Sequence, residues 1–447
     1  MTLPPDVADL IRILESAGFP AYAVGGCVRD TLMGRTPHDW DLCTAALPEE
    51  MLSLFSGEQV AETGLKHGTL TVIRNHIPYE ITTFRTDGSY TDHRHPDSVS
   101  FVREIREDLS RRDFTVNAMA YSPASGLVDL FGGRADLRGR IIRCVGDPDA
   151  RFGEDALRIL RALRFAAVFD FFLDPDTDRA VHARREDLRR VAAERIRTEL
   201  MKLLCAPAAG RILRAYPDVL AVIIPELAPM IGYDQRNHHH HFDLWEHTVQ
   251  ALENVPPEED LRLAMLLHDT GKPGACTLDS KGEAHYIGHQ ALSAEIAARV
   301  TENLRCSTAQ QDHVVLLVKN HDIPLRTADG APATDRRFLL RRLNRFGEAD
   351  LRALIQIHRA DRIATGYTPA DREDRRMRQR LDALDALLAE KPCFTLKDLA
   401  VNGRDLTALG LKGPEVGRTL DSLLSAVMDG TLPNEKKALL DSLRSES

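Results

Sequence analysis

The chain changes character near residue 146, and that change limits its architecture more than any other feature. Before it, short β-type runs alternate with helical ones; after it, apolar residues recur almost entirely at helical spacing. The expectation is α+β: a small α/β head with a mixed sheet, followed by an all-helical remainder. In the head, a helical pattern (Val7, Leu10, Ile11, Leu14) ends at Gly18. A β-rich run at 19–24 meets Gly25-Gly26, and a helix over 28–33 stops at Gly34. Strand-like segments follow at 40–43, 69–73 and 79–84, then a polar, turn-rich loop at 86–98. Helices are predicted at 155–168, 192–205, 261–268, 291–304, 313–318 and 336–345. Breaks near 146, 206–210, 256 and 365–369 suggest a head (1–145), a helical neck (146–210), a helical body (211–330) and a body/tail (331–447).

The 447 residues, 43% hydrophobic and 28% charged, suit a soluble chain with more than one core. No apolar run approaches the roughly 18–20 residues a membrane span needs. The acidic N-terminus lacks a signal pattern, and seven scattered cysteines without a CxxC pair point to a reducing compartment, hence the cytoplasm. The net charge of −9 hides basic segments: nine Lys/Arg against four Asp/Glu at 183–214, and thirteen Arg against eight Asp/Glu at 335–382. Such faces can hold nucleic-acid phosphates although the whole chain is acidic.

The chemistry begins at Gly25-Gly26-Cys27-Val28-Arg29-Asp30, followed by Asp39-Trp40-Asp41. Residues i and i+2 of a strand share a face, so Asp39 and Asp41 present neighbouring carboxylates while Trp40 turns into apolar packing. Two such carboxylates repel each other unless a hard divalent cation shares them. Gly25 and Gly26 let backbone N–H groups approach a phosphate closely, and Arg29 adds a charged donor. This arrangement suits a nucleoside triphosphate with a metal. Glu80 either completes a carboxylate trio or is a surface residue beside Arg85.

Downstream, Asp113 and Asn117 are spaced to share a helix face and suit ribose hydroxyls, while Arg112 can donate to phosphate or ribose. Asp155 and Arg158 follow at i, i+3, with Arg161 and Arg164 continuing the stripe. Asp155 only accepts hydrogen bonds and Arg158 only donates. Cytosine and adenine both present an amino donor beside a ring-nitrogen acceptor. Uracil and guanine present a carbonyl there, so this edge would admit CTP and ATP and exclude UTP and GTP.

Together, residues 25–30, 39–50, 64–72, 79–85, 111–120, 147–166 and 194–200 resemble the class II tRNA nucleotidyltransferase and bacterial poly(A) polymerase family. The resemblance covers nearly all of 19–205, and residues 402–440 look like the tail of CCA-adding members. It implies Mg²⁺ on Asp39 and Asp41, the triphosphate on Gly26 and Arg29, and ribose and phosphate contacts from Arg112 and Asp113. It also implies base reading by Asp155 and Arg158, supported by Arg161 and Arg164. The partners implied are tRNA, whose 3′-hydroxyl attacks CTP or ATP, and the two nucleotides themselves. The loop at 86–98 keeps Asp92 and Arg94, as full CCA-adding members do. Poly(A), CC-only or A-only addition are the alternatives within the family.

A second constellation comprises His247, His268-Asp269, His289 and His321-Asp322. It resembles the HD phosphohydrolase superfamily. Imidazoles and a carboxylate can ligate a second divalent metal, with Asp269 placed to bridge two, for hydrolysis of a phosphate ester. The last ligand is open among His289, His321 and Asp322. The run His238–His241 reads as a loop.

Overall fold

Helix α1 (Pro5–Ser16) starts with proline in its first turn, where a missing N–H removes no helical bond, and buries Val7, Leu10, Ile11 and Leu14 along one stripe. That stripe packs on a sheet. In the computed structural model, which describes residues 1–88, 98–236, 241–325 and 334–444, the sheet holds β1 (Ala21–Val24), β2 (Leu42–Thr44), β3 (Gln59–Ala61), β4 (Thr69–Arg74) and β5 (Ile77–Thr83). A separate two-stranded ribbon, β6 (Arg85–Asp87) and β7 (Val99–Phe101), flanks the predicted loop. The core of that loop, 89–97 with Asp92 and Arg94, lies outside the described residues. Strands β8 (Met119–Ser122) and β9 (Gly126–Asp129) complete the main sheet.

The strand order is β3-β4-β5-β2-β1-β8-β9, with β2 and β5 parallel and the other neighbours antiparallel. Central β1 is buried on both faces: Ala21 and Ala23 join the α1 core, while Tyr22 and Val24 pack with Phe84, Leu109 and Ala120. Helices α2 (Gly26–Leu32), α3 (Pro48–Leu54), α4 (Ile105–Ser110) and α5 (Gly133–Gly139) surround the sheet.

Helices α6 (Pro148–Glu154), α7 (Leu157–Phe169), α8 (Pro175–Arg184), α9 (Ala193–Leu204), α10 (Ala209–Ala215) and α11 (Pro217–Ile223) follow. A short parallel pair, β10 (Ile141–Ile142) and β11 (Phe172–Leu173), interrupts the helical run the sequence predicted. The first compact unit spans Met1–Ala228 and the second Pro229–Ser447. The second contains α12 (Leu244–Glu253), α13 (Glu259–Leu267), α14 (Lys272–Ala275), the hairpin β12 (Thr277–Leu278) and β13 (Ala284–His285), α15 (His289–Asn303) and α16 (Thr308–Lys319). It continues with α17 (Arg336–Ala364), kinked at Gly347, then α18 (Ala370–Ala389), α19 (Gly403–Ala408), α20 (Pro414–Met428) and α21 (Lys436–Arg444). No helix among the described residues is long and apolar enough to cross a membrane.

Candidate active site

The Gly-Gly turn sits where β1 hands over to α2. Gly25 adopts φ 81°, ψ −128°, a region side-chain-bearing residues rarely enter, and its N–H donates to the Met119 carbonyl. A Cβ on Gly25 would lie 2.9 Å from Arg112 Nη1, so the absent side chain is what lets that guanidinium reach the turn. Arg112 is anchored from behind by buried Asp108 (3.3 Å), which also binds Arg111 (2.9 Å). Burial opposes the charge on Asp108, yet the Arg112 and Arg111 guanidiniums prevail and hold its carboxyl below the usual range. Arg112 Nε is buried with no hydrogen-bond partner among the described residues.

Asp39 and Asp41 lie one step earlier than predicted, on the extended lead-in to β2 rather than within a strand over 40–43. The strand geometry still applies, because the Asp41 carbonyl accepts from Val24 N–H (3.0 Å). Both acids are exposed, while Trp40 is partly buried against the α1 core, as the alternation required. Leu42 pairs with Ile81 in the parallel β2–β5 ladder, so Asp41 and Glu80 stand side by side. Desolvation raises the Asp41 carboxyl above its ordinary pKa against the pull of Arg112, and the charges of Glu80 and Asp39 add to the rise. Asp41, with Glu80 beside it and Asp39 two residues back, offers the oxygen donors that suit a hard divalent cation.

From this turn a chain of charged contacts runs to the helical neck. Arg29 is buried; it donates to Asn117 (2.6 Å) and Asp30 (2.8 Å) and stacks over Phe169. Only Thr115–Asn117 form a 3₁₀ turn, with Phe114 extended before it, instead of the predicted helix, because Met119 must enter β8. Asp113 and Asn117 meet all the same: Asn117 Nδ2 donates to Asp113 Oδ1 (3.1 Å). The other oxygen of Asp113 accepts two bonds from Arg161, which hold its carboxyl low despite burial. Arg161 continues to Glu199 (3.8 Å), which also binds Arg164.

The predicted continuous helix over 155–168 is broken at its first residue. Asp155 has extended backbone (φ −144°, ψ 103°) between α6 and α7, and its Oδ1 accepts from Leu157 N–H. It does not pair with Arg158. Asp155 binds Arg195 of α9 through both oxygens (2.7 and 3.3 Å), and Arg158 binds Glu154 together with the carbonyls of Arg151 and Arg111. The stripe 155–164 therefore touches the 111–113 segment twice, at Arg158 and at Arg161.

In the second unit, His247, His268, Asp269 and Asp361 form one group of convergent ligand atoms, and Asp269, His289 and His321 form another, each within 4.8 Å. The Nε2 atoms of His247 and His268 approach Asp269 Oδ2 (3.3 and 3.2 Å), and His289 Nε2 approaches Oδ1 (3.3 Å). Asp361 Oδ1 lies 3.1 Å from His247. The Nδ1 atoms of His268, His289 and His321 each face the carbonyl three residues earlier, on Met265, Tyr286 and Val318 (2.7–2.8 Å). Those bonds turn Nε2 inward, the atom that offers a lone pair to a cation once the ring has shed its second proton. Burial and the neighbouring His268 push His321 down to about 4, while at His268 the Asp269 carboxylate outweighs burial. Lys272 Nζ stands 2.7 Å from Asp269 Oδ2, yet both Asp269 oxygens are buried without a well-aligned hydrogen-bond donor. The group opens into a cavity of about 580 Å³ that also includes Asp322 and Arg362. This donor set of imidazole nitrogen and carboxylate oxygen fits a divalent transition metal.

The model of the poly(A) polymerase head domain matches residues 21–143, and that of a probable RNA- and SrmB-binding site of polymerase A matches 170–231. A putative tRNA nucleotidyltransferase domain 2 matches 293–443. The CCA-adding enzyme of Levilactobacillus brevis is 35% identical over 432 residues, covering 96% of this chain and 95% of that protein. The chain belongs to the CCA-adding enzyme family. The Geobacillus stearothermophilus CCA-adding enzyme is 33% identical over 443 residues, 98% of this chain and 96% of that one. The crystal structure of Bacillus stearothermophilus CCA-adding enzyme in complex with CTP superposes with a TM-score of 0.73 at 30% identity, covering 100% of this chain and 99% of that chain. As a CCA-adding family member the chain is a nucleotidyltransferase.

Four contacts of the candidate residues escaped the sequence reading: Asp108 behind Arg112, Arg195 on Asp155, Glu199 between Arg161 and Arg164, and Asp361 in the histidine group. Asp361 left one signal. It falls at a core-facing position of α17, between buried Ile357, His358, Ala360 and Ala364, where a carboxylate needs a partner.

Proposed function

We propose that this chain builds or repairs the 3′-terminal CCA of tRNA from CTP and ATP. The 3′-hydroxyl oxygen of the RNA bonds to the α-phosphorus, and pyrophosphate leaves. The supporting observation is the double contact of Arg158 and Arg161 with residues 111–113, which ties the base-edge residues to Arg112, the Gly25 turn and Asp41. In this reading Gly25, Gly26 and Arg112 seat the triphosphate. Arg29, held by Asn117 and Asp30, braces the turn behind it. Asp113 and Asn117 face the ribose; Asp155 accepts from the exocyclic amine and Arg158 donates to the ring nitrogen. Asp39 and Asp41, with Glu80 beside them, would hold Mg²⁺. When bound, Mg²⁺ would offset charge on the α-phosphate and the departing pyrophosphate. Residues 1–145 act as head, 146–210 as neck, 211–330 as body and 331–447 as body and tail. The basic faces of the helical parts hold the acceptor arm. The scattered free cysteines favour a cytoplasmic setting.

Incubation with CTP, ATP, Mg²⁺ and a tRNA transcript ending before CCA tests the proposal. Exactly three added nucleotides ending in A are expected, and none in the Asp39→Ala/Asp41→Ala variant. Two, one, or a long A tract would instead assign CC-only, A-only or poly(A) addition.

A second activity is favoured by one observation: four buried histidines and the partly buried Asp361, from five separate segments, gather around the Asp269 carboxylate. We read His247, His268, Asp269 and Asp361, with His289 and His321, as a divalent-metal centre of a phosphohydrolase. When bound, the cation would acidify a water for attack on a phosphate ester. Phosphate release from 2′,3′-cyclic or 2′-phosphorylated nucleotides should disappear in His268→Ala and persist in Asp41→Ala. Release that survives His268→Ala would defeat this reading.

A further inference from the structure

Asp155 carries the acceptor half of the base edge, yet nothing on its own helix fixes the plane of its carboxylate. The terminal torsion of an aspartate is soft, so a single backbone N–H on Oδ1 leaves Oδ2 free to swing. Arg195 removes that freedom. Its Nη1 and Nη2 take Oδ1 at 3.3 Å and Oδ2 at 2.7 Å, a two-point grip from a helix 40 residues further along the chain. A carboxylate has about four lone-pair directions, so the grip together with Leu157 N–H still leaves an outward one for an amine donor. Arg195 also keeps Asp155 away from Arg158, the cation at i+3 on the same segment. Were those two to pair, acceptor and donor would satisfy each other and neither would read a base. Arg158 is kept apart from the other side by Glu154 and the Arg151 and Arg111 carbonyls.

We propose that Arg195 is a positioning residue for nucleotide selection: it orients the Asp155 carboxylate, and the exclusion of UTP and GTP depends on it although it lies behind the reading edge. This rests on the reading of Asp155 and Arg158 as the base edge. A planar fork that holds both oxygens differs from a point charge that holds one, so Arg195→Lys separates orientation from charge.

The experiment measures kcat/KM for CTP, ATP and UTP on tRNA lacking CCA, for the full-length wild type, Asp155→Asn, Arg195→Lys and Arg195→Met, with the melting temperature of each. The expected result is a CTP-over-UTP preference reduced at least about tenfold in both Arg195 variants, the scale of losing one oriented base contact. KM for pyrophosphate in the reverse reaction, which reports the triphosphate seat, should hold within about twofold. A preference within twofold of wild type in Arg195→Lys overturns the inference. So does a fall in all three nucleotides by one common factor, since a merely structural role predicts that. Should Arg195→Met prove too unstable to assay, Arg195→Lys decides alone by the same criteria. Asp155→Asn keeps the two questions apart. If it leaves UTP excluded, the base-edge reading itself is wrong. If it relaxes selection and Arg195→Lys does not, only the role of Arg195 is wrong.

Discussion

Gly25 and Arg112 meet at a close junction in the head. Gly25→Ala would put a methyl 2.9 Å from Arg112 Nη1 on a backbone at φ 81°. The expected cost is about 1–3 kcal/mol of stability from the strained conformation alone. Displacement of Arg112 should lower kcat/KM for CTP more than tenfold, which steady-state kinetics beside a thermal melt will separate from unfolding. At the other centre, Asp361→Asn removes a charged ligand and should lower divalent-metal affinity at least about tenfold, the size of effect seen even for residues that only support a metal's ligands. Equilibrium dialysis with metal analysis reads it, and unchanged affinity would place the ligand set on the histidines and Asp269. Single residues were legible where the signal was local. Asp39, Asp41 and Asp113 stand in short motifs whose spacing predicts their neighbours: Asp113 meets Asn117, and Trp40 turns inward between the two acids. Arg195 finds its partner 40 positions away and Asp361 finds His268 and His247 93 and 114 positions away, and no periodicity encodes a pairing across such separations.

Helices and strands were readable in kind and less so at their ends. The α1 stripe and the β1, β4 and β5 runs follow from apolar spacing. The break at Asp155 and the 3₁₀ turn at 115–117 do not, since each is imposed by what the next element must pack against. One tertiary clasp carries a pH expectation. His313 of α16 bonds Asp260 of α13 (2.7 Å) and lies 3.5 Å from Asp350 of α17. The Asp260 hydrogen bond raises the His313 pKa against partial burial, and Glu258 contributes at longer range. A histidine raised on folding stabilises fully below its unfolded pKa near 6.5, and the contribution fades as pH rises through the folded value. His313→Ala should therefore lower the melting temperature more at pH 6 than at pH 9. Both partners are near a third exposed, so the difference should be about 1 kcal/mol or less. A larger loss at pH 9 would reverse the assignment.

The two candidate centres fall in separate units: the carboxylates of the head in the first, the imidazole group in the second. If the second centre holds a transition metal, 1,10-phenanthroline, which spares Mg²⁺, should lower the melting temperature of the protein as isolated and abolish phosphate release. CTP incorporation should continue. A ligand held at about a thousand times its Kd stabilises the folded state by about 4 kcal/mol, so the melting shift should be several degrees. Loss of both activities together would argue that one unit depends on the metal of the other. The division into a mixed-sheet head and helical remainder was visible from residue 146 onward. The small pair β10–β11 was not, because two-residue strands leave no period to detect.

Three of the imidazoles lean on carbonyls three places earlier in their own chain segments. Ring direction at His268, His289 and His321 is thus a matter of local backbone, settled without help from any incoming ion. An ion arriving there would meet Nε2 atoms already aimed; capture should displace the Nε2 proton that the Asp269 carboxylate favours on His268 and leave Nδ1 protonated. Nitrogen NMR of the metal-depleted protein would register Nδ1-protonated rings before any metal is added.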